Sequence, residues 1–270
     1  MSEAPDEAAP PWPLWTIPVA LVCTVVVGSV GQGVVLAIAG VSISDKHPPA
    51  GVTVGGTLVL DLALVGSALV FARLTAPLRA LQFGLRLPAL GRSLKWLAIV
   101  AIGYVAVGQA YGALISRAPK DQLEGLSANA PAASIAAFAV LVCLIAPIAE
   151  ELFFRGFVFG AMRRRVGVWL AAVISGLLFG AVHAGGGTPA VLLPLLAMLG
   201  FGLAILYWRT GSLLPGIALH SINNAIAFGA LINWDWQILP LAVGALFALA
   251  IVLGPIAAAA KRDPPVALGH

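Results

Sequence analysis

The chain has few charged residues and few cysteines. Asp, Glu, Lys and Arg make up 10% of its 270 residues, against about a quarter in an ordinary globular domain. Its two cysteines, Cys23 and Cys143, form neither a CxxC pair nor a disulfide framework. We interpret both as small buried apolar residues. The sequence therefore excludes a disulfide-stapled scaffold, and it does not resemble a soluble globular domain.

The alternation of polar and apolar residues that marks the strands of a membrane barrel is also missing. Hydrophobic residues instead make up 60% of the chain and form recurring apolar runs, each long enough for a membrane-spanning helix of about 20 residues. Because only helices or closed barrels satisfy their backbone in lipid, we predict an all-α fold, a polytopic membrane bundle of about eight transmembrane helices. The predicted spans are residues 15–39, 51–72, 97–116, 132–162, 168–184, 189–208, 212–232 and 238–260.

We predict a single transmembrane domain over residues 15–260, with its catalytic core at about 130–230. Residues 1–14 are acidic and rich in proline, without the basic segment and cleavage site of a secretory signal. We expect them to form a disordered cytoplasmic tail, and residues 261–270 a second cytoplasmic tail.

The net charge of +4 comes from basic residues that cluster in the loops. The basic loops fall on one side of an eight-span bundle, so the positive-inside rule places both termini in the cytoplasm. The charge thus indicates membrane topology and not a nucleic-acid partner. A composition rich in Ala, Gly and Arg suggests a bacterial source, so we expect an integral protein of the bacterial cytoplasmic membrane. The basic segments contain Arg73, Arg79, Arg86, Arg92, Lys95, Arg163, Arg164, Arg165, Arg209, Lys261 and Arg262.

Side chains that can ionise are rare inside the predicted spans. A charge near the bilayer centre costs about 2.5–3.5 kcal/mol on insertion scales, so such residues are usually paired and often functional. All but one of them lie in the fourth, fifth and seventh spans, which predicts a shared site. They are Asp61, Glu150, Glu151, Arg155, His183 and His220.

The two adjacent glutamates of the fourth span face different ways. Glu151 and Arg155 are four residues apart, so they share a helical face and can pair. Glu150 is rotated by about 100° from Glu151 and points toward another helix. A purely structural ion pair with a second carboxylate in a water-filled crevice is the alternative. Pro147 removes one backbone hydrogen bond and frees a carbonyl near the site, either to help water reach Glu150 or as a simple kink.

Two histidines lie at a matching depth on other spans. His183 follows Phe179 by four residues, and Asn224 follows His220 by four. At 1.5 Å per residue, Glu150 lies roughly 20 Å from the cytoplasmic end of its span, His183 roughly 22 Å and Asn224 roughly 18 Å, with His220 about one turn shallower. We therefore expect all four side chains to meet in one layer. Each histidine taken singly could instead be a packing residue.

Two further features bear on this layer. The pairs Gly156/Gly160 and Gly176/Gly180 are small-xxx-small patterns, which predict that the fourth and fifth spans approach each other closely. Asp61, alone in the second span, either tunes the site or a proton path, or is a hydrogen-bonded packing residue.

These motifs, in this order on separate spans, resemble the CAAX prenyl endopeptidase and bacteriocin-processing family of intramembrane proteases. The resemblance covers roughly residues 130–230. It rests on three motifs: Glu150-Glu151-x-x-x-Arg155, Phe179-x-x-x-His183 and His220-x-x-x-Asn224. The flanking residues also match, namely Pro147 before the glutamate pair, Phe154-Arg155-Gly156 after it, and Leu213-Leu214-Pro215-Gly216 before His220.

The resemblance implies hydrolysis of a peptide bond in a membrane-tethered protein or peptide, as CAAX-type processing or as bacteriocin or peptide maturation or immunity. By position, Glu150 activates water, His183 assists it, and His220 with Asn224 stabilises the oxyanion. Glu151 and Arg155 complete the predicted catalytic set. Amide hydrolysis needs such a base and such donors.

The preferred mechanism has no cofactor. Zinc is the alternative, because Glu150, His183 and His220 could supply three ligands with an open position for water. The sequence has no HExxH, so a zincin-type metalloprotease is not supported. It also lacks the GxSG serine motif of rhomboids and the GxGD aspartyl signature.

Two functions of other classes use the same buried acids. One is a proton-coupled transporter, against which the missing internal repeat weighs. The other is a non-catalytic membrane scaffold or immunity protein that keeps the site as a relic.

Overall fold

The computed structural model describes residues 10–45, 48–115, 131–185 and 188–260. Within these ranges the chain is helical and has no strand, which confirms the predicted all-α bundle. Residues 1–9 of the tail predicted at 1–14, and the whole tail predicted at 261–270, lie outside the described residues.

Within the described ranges, eight helices correspond to the eight predicted spans. We number them α1 (Thr16–Ala39), α2 (Ala50–Thr75), α3 (Leu90–Leu114), α4 (Ala132–Arg163), α5 (Val168–Val182), α6 (Leu193–Thr210), α7 (Leu214–Leu231) and α8 (Ile238–Ala260). Short 3₁₀ turns occupy Ala80–Phe83, His183–Gly185 and Ala190–Leu192. The third helix begins at Leu90, well before the predicted start at residue 97, because it includes the basic turn that the sequence assigned to a loop.

Six of these helices are long and apolar enough to cross a membrane: α1, α2, α3, α4, α6 and α8, where α6 is extended by its preceding 3₁₀ turn. Helix α5 is apolar but shorter, and polar residues such as His220, Asn223 and Asn224 dilute the hydropathy of α7. Large apolar side chains face outward, for example Ile102 and Phe247. The protein is therefore an integral membrane protein, and α7, which is not among these six helices, carries part of the candidate site.

Helix α4 lies against most of the bundle. It contacts α2, α5, α6, α7 and α8, and Phe153, Phe154, Phe157 and Phe159 on it are fully buried. The outer helices pack as pairs, α1 with α2 and α5 with α6. Because α4 touches so many partners, a side chain on almost any of its faces meets another helix.

Helix α4 is not a regular α-helix. It takes π-helical geometry at Leu141–Ile145 and again at Leu152–Phe159, a form that is often found at functional sites. Pro147 has no N–H, so the carbonyls one turn before it lack a backbone donor. Asn224 Nδ2 donates to Val142 O at 2.9 Å, and Ser221 Oγ donates to Cys143 O at 2.5 Å. The freed carbonyls thus tie α4 to α7.

The predicted close approach of the fourth and fifth spans through glycine pairs is wrong. A Cβ at Gly176 would lie 2.6 Å from Ala197 O of α6, and Gly180 likewise faces α6. Gly156 and Gly160 lie against Phe83 and Pro10. The glycine spacing indicates a narrow face on each helix, but it does not identify which neighbour fills that face.

The segment before α1 is held against the bundle. Trp12 is fully buried, and its indole N–H donates to Phe157 O at 3.1 Å. Arg165 Nη1 in turn donates to Trp12 O at 3.1 Å. Residues 10–13 therefore pack over the end of α4 that carries the Arg163–Arg165 cluster.

Candidate active site

The ion pair predicted on α4 forms in the interior of the bundle. Arg155 Nη1 lies 2.7 Å from Glu151 Oε1, and both side chains are 0% exposed. Arg155 Nη2 also donates to Gly200 O of α6 at 3.0 Å, and the guanidinium carbon lies 4.5 Å from the centre of the Phe179 ring. Buried charges persist only with such partners, so α4, α5 and α6 together fix Glu151.

Glu150 faces away from this pair, as the rotation between adjacent helical residues predicts. Its Oε1 lies 3.9 Å from His183 Nε2, and its Oε2 lies 3.6 Å from His220 Nε2. The Glu150 side chain is 14% exposed, whereas Glu151 is fully buried. One glutamate is thus enclosed and neutralised by Arg155, and the other lies between two imidazoles with some access from outside.

His220 connects the two glutamates. Its Nδ1 lies 3.2 Å from Glu151 Oε1, while its Nε2 is directed toward Glu150. Because a carboxylate only accepts hydrogen bonds, Nδ1 donates to Glu151. The Glu151–Arg155 pair therefore sets the orientation of His220, in the way that a second carboxylate orients many catalytic or metal-binding histidines.

His183 ends α5 and begins a 3₁₀ turn. Its Nδ1 lies 2.7 Å from Phe179 O, a carbonyl that can only accept, so Nδ1 donates and Nε2 is left facing Glu150. The ring of Phe179 also packs against both histidines. The i, i+4 spacing of Phe179 and His183 thus has a physical reason, since one residue supplies both the carbonyl and the ring that position the imidazole.

Asn224 makes its hydrogen bonds to groups other than the candidate acid and imidazoles. Its Nδ2 donates to Val142 O, and its Oδ1 accepts from Asn223 Nδ2 at 3.3 Å. Neither hydrogen bond goes to Glu150 or to a histidine. The structure therefore brings together Glu150, Glu151, Arg155, His183 and His220 by direct contact, and it joins Asn224 to them through the backbone of α4.

Several contributors carried no recognisable sequence signal on their own. Ser221 donates its hydroxyl to the Cys143 carbonyl, and the Gly200 carbonyl accepts from Arg155. A Cβ at Gly216 would lie 3.0 Å from Glu151 Oε2, so glycine at this position lets α7 approach the acid. The Leu213–Gly216 flank of the motif was the available signal for this last residue.

Asp61 of α2 is buried. Helix α2, which carries it, packs against the Ala146–Glu151 turn of α4, and Asp61 Oδ2 has no hydrogen-bond donor among the described residues.

In the described part of the chain, no three His, Cys, Asp or Glu side chains are grouped closely enough to hold a metal ion. Glu150, His183 and His220 do converge, but through contacts of the carboxylate with each imidazole.

Comparison with known proteins covers this same region. The model of the type II CAAX prenyl endopeptidase Rce1-like family matches residues 132–226, which run from the start of α4 into α7 and include every site residue on those helices. YdiL of Bacillus subtilis (strain 168), whose name describes it as a candidate membrane peptidase, is 34% identical over 85 residues. That match covers 32% of this chain and 33% of the relative, so the chain spans about a third of the length of the relative it matches. No solved structure matches the chain. The glutamate pair, the arginine and the two histidines all lie within residues 132–226, the segment that is similar to the type II CAAX prenyl endopeptidase Rce1-like family.

Proposed function

We propose that this protein is an intramembrane endopeptidase that hydrolyses a peptide bond of a membrane-associated protein or peptide, with Glu150 as the general base. The observation that carries the proposal is the position of Glu150 between His183 and His220, beside a fully buried Glu151–Arg155 pair. The family match supports the same reaction class.

The contact between Glu150 and His183 suggests where water is activated. Glu150 Oε1 and His183 Nε2 are both acceptors and lie 3.9 Å apart, so the group that satisfies both is a donor. A water molecule can give one O–H to each of them. Its oxygen lone pair then remains available to attack the scissile carbonyl carbon.

The reaction balances without a further reactant. The water oxygen bonds to the carbonyl carbon while its proton moves to Glu150, which gives a tetrahedral oxyanion. Glu150 then donates that proton to the leaving nitrogen, and the C–N bond breaks to give an acid and an amine. The same carboxylate serves first as base and then as acid.

Donors to the oxyanion come from α7. His220 Nε2 faces the reacting layer because Nδ1 is held by Glu151, and in this role it carries the proton that it donates. Asn224 uses one of its two amide hydrogens on Val142 O, so the second is available to the substrate. Such donors, fixed before substrate arrives, stabilise charge that develops in the transition state.

The test is cleavage of membrane-tethered peptides by the purified protein in liposomes. Glu150→Gln keeps the shape of the side chain but cannot accept the proton, so we expect a loss of about 10²- to 10⁴-fold in kcat. Asp235→Asn is the matched control, because it makes the same acid-to-amide change at an exposed loop position.

Equal cleavage by wild type and Glu150→Gln would overturn the role of Glu150. Failure of the wild type on every tethered peptide would favour the scaffold or immunity function instead. Loss of activity after exhaustive chelation, restored by Zn²⁺, would overturn the metal-free mechanism and support the three-ligand alternative.

A further inference from the structure

One buried acid takes no part in the mechanism above. Asp61 is 3% exposed, whereas its neighbours Leu60 and Leu62 are 41% and 61% exposed. The carboxyl group is therefore directed into the bundle while the flanking leucines face outward. The same inward face of α2 continues with Leu64 and Ala68, which pack in the core that contains the phenylalanines of α4.

Asp61 lies at the depth of the candidate site. At 1.5 Å per residue, its position is about 21 Å from the end of α2 at Thr75, and Glu150 is about 20 Å from the end of α4 at Arg163. Helix α2 packs against the Ala146–Glu151 turn that carries Glu150. The two carboxyl groups therefore lie in a common layer, on two helices that pack against each other.

Each of these carboxyl groups has an oxygen without a donor. Asp61 Oδ2 and Glu150 Oε2 are both buried, and neither has a hydrogen-bond partner among the described residues. Buried acceptors in native structures are nearly always satisfied, and leaving one unpaired is unfavourable. Two facing acceptors cannot satisfy each other unless a hydrogen lies between them, either on a carboxyl oxygen or on a bridging water.

We propose that Asp61 is a positioning residue that shares a hydrogen-bond donor with Glu150 and so fixes the orientation of that carboxylate. The link engages Glu150 Oε2, which leaves Oε1 directed toward His183 Nε2 for the activation of water. The inference rests on the proposed peptidase function for its kinetic consequence, but the link itself exists without catalysis.

Two variants separate positioning from a purely structural role. Asp61→Leu removes every hydrogen bond at this position, whereas Asp61→Asn retains an amide N–H that can donate to Glu150 Oε2. We expect Asp61→Leu to lower kcat by about 10- to 100-fold, as the misplacement of a catalytic group does, with Asp61→Asn intermediate and KM little changed. Melting temperatures measured in parallel show whether a loss of kcat follows from partial unfolding of the variant. Asp235→Leu and Asp235→Asn are the exposed controls.

An infrared measurement tests the link without any substrate. The carboxylate band of Glu150, identified by its loss in Glu150→Gln, should shift in Asp61→Leu and stay unchanged in the Asp235 variants. A carboxylic acid band that disappears in Asp61→Asn identifies the donor as the proton of Asp61 itself, and its absence assigns the donor to a bridging water.

Wild-type kcat in both Asp61 variants, or a Glu150 band that does not move, would overturn the proposal. So would a drop in the melting temperature of Asp61→Leu together with wild-type kcat in Asp61→Asn, since that combination marks a structural residue. If the wild type cleaves no peptide, the proposed function fails, and the infrared shift still decides whether the two acids are linked.

Discussion

At the scale of single residues, two adjacent glutamates acquire different properties from their neighbours. Glu151 is enclosed with Arg155 and holds His220 Nδ1, whereas Glu150 faces both imidazoles. This division follows from helical rotation alone, so the sequence could predict it. The hydrogen bond of Arg155 to Gly200 and its contact with Phe179 could not be predicted, because they depend on how α5 and α6 pack.

A prediction at this scale concerns Arg155. Arg155→Met leaves Glu151 buried without its ion-pair partner, and such a loss costs about 3–5 kcal/mol of folding free energy. Arg155→Lys keeps the charge, but the lysine ammonium lacks the planar guanidinium that stacks on the Phe179 ring and donates to Gly200 O at the same time. We therefore expect the stability of Arg155→Lys to lie between those of wild type and Arg155→Met. Thermal unfolding in detergent measures both. Glu150→Gln, which leaves this pair intact, is the control, and a wild-type melting temperature for Arg155→Met would contradict the prediction.

At the scale of elements, the irregular helix α4 shows what a sequence leaves undetermined. Pro147 predicts that a carbonyl near the site is freed, and the structure gives the carbonyls of Val142 and Cys143 to side chains of α7. The identity of those donors was not predictable, since it depends on the rotation and depth of a helix distant in sequence. The prediction from the glycine pairs was wrong for the same reason. Their spacing defines a narrow face on each helix, but tertiary packing determines which neighbouring helix or loop contacts that face.

The link between α4 and α7 predicts the effect of Ser221→Ala. Removing the hydroxyl leaves Cys143 O without its donor, and interhelical hydrogen bonds in membrane proteins contribute about 0.6 kcal/mol on average and up to about 1.7. We expect a loss of stability in that range. Ser93→Ala is the matched control, because Ser93 Oγ is buried without a partner among the described residues and its removal should cost nothing. Equal destabilisation by the two substitutions would show that the Ser221 contact contributes little.

At the scale of the whole molecule, the eight helices and their order were predictable because the apolar runs that specify them are long and separated by basic or Gly- and Pro-containing loops. The site was predictable in outline because ionisable residues are rare within those runs, so their few positions are informative. The position of Asn224 away from the acid–imidazole contacts was not predictable. Depth along a helix fixes a layer, but not the direction in which a side chain points within it.

The orientation of the bundle is the last prediction. The helix ends and loops that contain Arg73–Lys95, Arg163–Arg165 and Arg209 should face the cytoplasm, and the loop that contains Asp45 should face outward. In a background of Cys23→Ala and Cys143→Ala, Asp45→Cys and Arg164→Cys place single thiols at exposed positions on opposite sides. A membrane-impermeant maleimide applied to intact cells should label the thiol at position 45 alone, and it should label both after permeabilisation. Labelling of position 164 in intact cells would show that the orientation is the reverse of the predicted one. The Glu150 layer, about 20 Å from the Arg163 end of α4, would then lie at that depth from the outer surface.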